Sequence, residues 1–61
     1  MAGFVEVECE RVRESDAAVL IDVGGTEVWI PLSQVKAMHF NQEGKGSIEV
    51  AEWLAEKRGL V

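Results

Sequence analysis

Only one cysteine, one histidine and one proline occur among the 61 residues, and tyrosine is absent. Cys9 alone excludes an internal disulfide. Cys9 and His39 together fall short of the four ligands of a structural zinc site. Bases are also scarce, six against eleven acids, for a net charge of −5. No apolar run approaches the roughly 20 residues of a membrane span. The segment Met1-Ala2-Gly3-Phe4 has neither the basic start nor the apolar stretch of a secretory signal. A lone thiol fits a reducing compartment, so the expected location is cytoplasmic, without membrane attachment.

These absences leave a size problem. A domain below about 70 residues rarely nets more than about 3–5 kcal/mol from its core. With neither disulfide nor zinc available, a partner subunit is the remaining source of stability, and a homo-oligomer is expected. The acids are unevenly spread. Glu6, Glu8, Glu10, Glu14, Asp16, Asp22 and Glu27 outnumber Arg11 and Arg13 in residues 1–31. In residues 32–61 four acids and four bases cancel. Such a balance opposes duplex nucleic acid, whose affinity comes from phosphate neutralisation. A small anion remains compatible with a local cluster of bases.

Composition is that of a folded domain, 48% hydrophobic and 28% charged. Residues 1–61 read as a single domain without repeats or linkers. In Phe4–Arg13, Val5, Val7 and Cys9 alternate with Glu6, Glu8 and Glu10, the period of a half-buried strand. Val12 then falls out of phase, and a β-bulge near Glu10-Arg11 would return it to the core. Ser15-Asp16 supplies a turn. Ala17–Val23 and Thr26–Pro31 are β-rich runs separated by Gly24-Gly25, which suits a two-residue type I′ turn. That turn sets Val23 against Thr26, Asp22 against Glu27, Ile21 against Val28, Leu20 against Trp29 and Val19 against Ile30. Val19, Ile21, Val23, Val28 and Ile30 then form the core face, with Leu20 and Trp29 opposite.

Pro31 ends the strand because it cannot donate to a ladder. Leu32–Val35 suits one helical turn, and Lys36–Phe40 a strand with Met38 and Phe40 on one side. Residues 41–47 read as a flexible loop and 48–50 as a short closing strand. Residues 51–58 form a helix, closed by Gly59 as cap and Leu60 as its hydrophobic contact. The expected fold is mainly β: a small SH3-like barrel, second an OB-like one, or a curled antiparallel meander of 4–5 strands with a short C-terminal helix.

The stretch Glu27-Val-Trp-Ile-Pro-Leu-Ser-Gln-Val35 and the later Glu49-Val-Ala-Glu-Trp-Leu-Ala-Glu-Lys-Arg-Gly-Leu60 resemble a family of small bacteriophage proteins. That family shares a Val-Trp-Ile/Leu-Pro-x-Ser-Gln core and a Glu-Trp-x-Ala-Glu-Lys-x-Gly-Leu terminus. Its members often carry Lys after the proline, where this chain has Leu32. The resemblance implies a phage-encoded accessory protein in the host bacterial cytoplasm, serving replication or counter-defence, and implies no reaction.

No residue set reads as a catalytic constellation, and no enzyme, metal site or cofactor is expected. Ser33, His39 and an acid can be drawn as a triad in almost any protein. Gly24-Gly25 is followed by no helix, which the phosphate-binding glycine motifs require. Trp29 is the residue of interest, since an outward aromatic marks an interface or a stacking platform. The plainer alternative folds the terminal helix over it, packing Trp29 against Trp53. The preferred expectation is a counter-defence binding module that sequesters a small nucleotide-like host signal as a homo-oligomer. Leu20 and Trp29 would form the ligand or interface surface, with Gln34, Lys36, His39 and one of Arg11 or Arg13 supplying polar and positive groups. The alternative is an acidic inhibitor or nucleic-acid mimic. Glu6, Glu8, Glu10, Asp22 and Glu27 would then dock on a basic host nuclease or replication protein. The ordinary account of those glutamates is a solvated strand face.

Overall fold

A computed structural model describes residues 3–61 of the chain. Strand β1 (Phe4–Glu14) is followed by β2 (Ala18–Val23), β3 (Thr26–Pro31), a 3-10 turn (Leu32–Gln34), β4 (Val35–Phe40), β5 (Lys45–Ala51) and helix α1 (Glu52–Lys57). The strands form one antiparallel sheet in the order β3-β2-β1-β5-β4. β1 is long enough to serve two partners. Its first part, Phe4 to Glu10, pairs with β5, and Glu10 to Glu14 pairs with β2.

The curled meander, rather than the SH3-like or OB-like barrel, is the form the chain takes. β3 and β4 are the two edges and do not join in a ladder. The 3-10 turn between them, and a register shift between Val35 and Ala37, deliver β4 onto β5 instead.

The hairpin β2–β3 has the expected register at every pair from Val23–Thr26 to Val19–Ile30. Gly24 and Gly25 have φ of 61° and 93°, the left-handed pair that a type I′ turn demands. The Asp22 carboxylate braces this turn, accepting the Gly25 N–H at 2.7 Å. Val19, Ile21 and Ile30 are fully buried and Val23 and Val28 pack beside them. Val7, Ile48, Val50 and Ala51 complete the sheet's buried share of the core. α1 closes it, sending Leu54 and Ala55 inward. Its end is a Schellman motif: Leu60 N–H donates to the Ala55 carbonyl and Gly59 N–H to that of Glu56.

Three local expectations are corrected. The bulge in β1 lies between Arg11 and Arg13, so Val12 is itself the extra residue and is left 43% exposed. Arg11, opposite Ile21, takes the inward position. An arginine tolerates this because its stem covers apolar surface while its guanidinium stays at the rim, here 5.9 Å from the Phe40 ring centroid. Next, the flexible loop 41–47 is only a tight turn. Asn41 Oδ1 accepts the N–H groups of Glu43 and Lys45, Gly44 N–H donates to the Asn41 carbonyl, and the Gly44 carbonyl accepts the Arg11 N–H. Freed from that loop, β5 extends over seven residues instead of the expected three. Finally, α1 does not cover Trp29. Its buried side is Leu54 and Ala55, which leaves Trp53 51% and Trp29 43% exposed.

Candidate binding face

Residues directly opposite in an antiparallel sheet share a face, so the registers assign every strand residue to the core side or the outer side. Glu27 lies opposite Asp22, Asp22 opposite Glu10, and Glu10 opposite Lys45. These four residues make one row across β3, β2, β1 and β5. The next row holds Glu8, Ser47 and His39, and the one beyond it Glu6, Glu49 and Ala37. On the other flank, past the bulge, stands the row Arg13, Leu20 and Trp29.

Two chemical zones therefore share the outer face. The larger is acidic, with Glu6, Glu8, Glu10, Asp22, Glu27 and Glu49 against the single Lys45. Neighbouring strands lie about 4.8 Å apart, so the carboxylates of Glu10, Asp22 and Glu27 project side by side and repel one another. Among the described residues the one ion pair is Arg11 to Glu14 at 3.9 Å, which involves none of them. Two are held by hydrogen bonds: Asp22 in its turn, and Glu6, whose Oε2 accepts the Ser47 hydroxyl at 2.9 Å. A shallow open depression lies among Glu8, Glu10, Asp22, Gly24, Asn41 and Lys45. Cys9 and Gly46 also line it. Partial burial raises the pKa of the Cys9 thiol above its ordinary value.

The smaller zone is the Trp29 row. Leu20 is buried, yet it stands outside the core cluster that fills the other face. On the flanking strands its register partners are Trp29 and Arg13. Trp29 remains 43% exposed at the sheet edge. Two strand spacings separate Trp29 from Arg13, about 10 Å.

Of the residues expected to form one ligand surface, the fold assembles Leu20, Trp29 and Arg13. The others are dispersed. Arg11 faces the core side beside Phe40 and Glu14. Lys36 occupies the β4 bulge, with Nζ 5.5 Å from the Phe4 ring centroid. His39 is on β4, at the opposite edge from Trp29, and Gln34 ends the 3-10 turn. Lys45 was missed as a candidate, although a lysine three residues before the strand expected at 48–50 was the available signal. The acidic residues Glu6, Glu8, Glu10, Asp22 and Glu27 do share one face, and Glu49 joins them.

Among the described residues no helix is long and apolar enough to cross a membrane. Among the same residues no group of three or more His, Cys, Asp or Glu is arranged to hold a metal ion. No protein-family model matches the chain, and neither a curated protein nor a solved structure shows significant similarity to it.

Proposed function

We propose that the chain is a non-catalytic binding protein that works as a homo-oligomer and sequesters a small nucleotide-like molecule. The observation that carries this reading is the row Trp29–Leu20–Arg13 on the outer face. An exposed indole offers a base a stacking surface worth about 1–3 kcal/mol. Leu20 gives that surface an apolar floor. Arg13 stands about 10 Å from Trp29, two strand spacings, within the span between a nucleotide's base and its phosphates. Arg13, not Arg11, is thus the phosphate-facing base, because Arg11 is committed to the core side. Sequestration needs no reacting group, and none is invoked. With the resemblance to small phage proteins, this reading makes the chain a counter-defence protein in the host bacterial cytoplasm.

Isothermal calorimetry against a panel of linear and cyclic nucleotides tests the proposal. Heat of binding is expected for at least one member, and its loss with Trp29→Ala and with Arg13→Ala. A panel without heat would overturn the nucleotide reading.

A second reading has its own observation, the alignment of Glu10, Asp22 and Glu27 across three adjacent strands with Glu6, Glu8 and Glu49 behind them. Such a face suits a basic groove on a host nuclease or phage replication protein. Binding of that kind weakens steeply with salt. It would be abolished by reversing charge at Glu8 and Glu10. A pull-down from host lysate that is indifferent to both changes would dismiss it.

A further inference from the structure

The two edges of the sheet are not equally protected. An unpaired edge presents a row of free N–H and C=O groups, and proteins blunt such edges with bulges and lysines. β4 carries both, since its bulge falls at Lys36. β3 carries neither: its register with β2 is unbroken over six pairs and it contains no basic residue, so only Glu27 and the terminal Pro31 guard it.

The turn determines which β3 groups are free. A two-residue type I′ turn closes on a pair that exchanges both backbone hydrogen bonds, and such pairs then alternate. Thr26, Val28 and Ile30 therefore bond inward to β2. The phase continues into Leu32, whose N–H donates to the Ala17 carbonyl at 2.9 Å. Glu27 and Trp29 each turn an N–H and a C=O outward, and Pro31 only a C=O. Among the described residues no strand pairs with these groups.

We propose that β3 pairs antiparallel with β3 of a second copy, about a two-fold axis at Val28, so that one sheet runs through both subunits. The proposal rests on the homo-oligomer reading above and names its surface and register. Centred on Val28, Glu27 lies opposite the partner's Trp29 and Trp29 opposite the partner's Glu27. All four outward groups of each Glu27–Trp29 pair are then satisfied, giving four intersubunit hydrogen bonds. The neighbouring registers are worse. A centre at Trp29 sets each Glu27 carbonyl against the partner's Pro31, which has no N–H. A centre at Glu27 opposes two carboxylates and runs pairing into the Gly24-Gly25 turn. On the core side Val28 meets the partner's Val28, extending apolar packing across the axis. On the outer side the two Trp29 rings become diagonal neighbours, each flanked by its own Leu20 and Arg13. The ligand platform is thereby doubled.

Register-specific cross-linking tests this. Opposed residues of a non-hydrogen-bonded pair lie with Cα atoms about 4.5 Å apart, within disulfide range. In a Cys9→Ser background, Val28→Cys is expected to form a covalent dimer on mild oxidation. Thr26→Cys, which faces the partner's Ile30, is expected to form none. Trp29→Pro removes one outward donor from each copy while leaving the ladder to β2 intact. It should weaken dimerisation at least tenfold in sedimentation or native mass spectrometry, with folding checked by circular dichroism. An oligomeric wild-type protein whose Val28→Cys form does not cross-link overturns this edge pairing and leaves the homo-oligomer reading standing. Equal cross-linking at Thr26 overturns the register. A wild-type chain that stays monomeric at every concentration overturns both.

Discussion

Gly46 is the position where the structure makes its sharpest demand. It lies in β5 between Phe40 on one side and Cys9 on the other. A Cβ built there would overlap the His39 carbonyl oxygen, and would sit 2.8 Å from its carbon and 3.0 Å from the Phe40 Cα. All three atoms are backbone, so no side-chain rotation relieves the contact. In Gly46→Ala the β4 and β5 backbones must part where Phe40 and His39 pair with Gly46 and Ser47. Forcing a methyl into a packed site costs about 1–3 kcal/mol. Losing two backbone hydrogen bonds adds about 1 kcal/mol each. The total, about 3–5 kcal/mol, equals what a domain this small nets from its core. Gly46→Ala is therefore expected to be largely unfolded at 25 °C. Gly24→Ala is the matched control. Nothing lies within 4 Å of its added Cβ, but φ is +61°. It should lose only about 1–2 kcal/mol, the cost of holding a side-chain residue in the left-handed region. Urea titrations followed by circular dichroism separate the two. A Gly46→Ala protein no less stable than Gly24→Ala would refute the argument.

Three further outcomes follow from particular contacts. The Cys9 thiol has a raised pKa in the fold through desolvation, so the unfolded chain gives up this proton at lower pH than the folded one. The corresponding stability is fully present below the unfolded-state value and falls as pH rises through the folded one. Cys9→Ala should flatten the alkaline limb of a pH–stability profile, and an unchanged limb would contradict the shift. Asn41→Ala leaves the Glu43 and Lys45 N–H groups without their acceptor. A loss of about 1–2 kcal/mol is expected in chemical denaturation, with faster hydrogen exchange confined to the β4–β5 turn. Leu54→Ala empties the main contact of α1 with the core. It should cost about 2–5 kcal/mol, the range for a buried leucine, and release the helix before the sheet in amide exchange.

Local chemistry decided much of this molecule. Gly24-Gly25 admits few turn geometries, and a two-residue turn leaves one register, so every β2–β3 pair and the outward place of Trp29 were legible in the chain. The same holds for the alternation of valine and glutamate in β1 and for the Gly59-Leu60 cap, whose bonds span only a few residues. The candidate row was legible in part: Leu20 and Trp29 follow from the hairpin alone, whereas Arg13 joins them only through the pairing of β1 with β2.

What tertiary structure alone decided involves strands distant in sequence. The bulge position in β1 depends on how β2 and the Gly44 carbonyl meet it, so Arg11 rather than Val12 turns inward. The closure of the sheet depends on where a three-residue turn delivers β4. That turn sends β4 to β5, which separates Lys36 and His39 from Trp29 and leaves β3 as an open edge. Periodicity along one strand reports which face is buried. It carries no information about which other strand will lie beside it, and here that choice decides which side chains share the outer face and which strand is left as an edge.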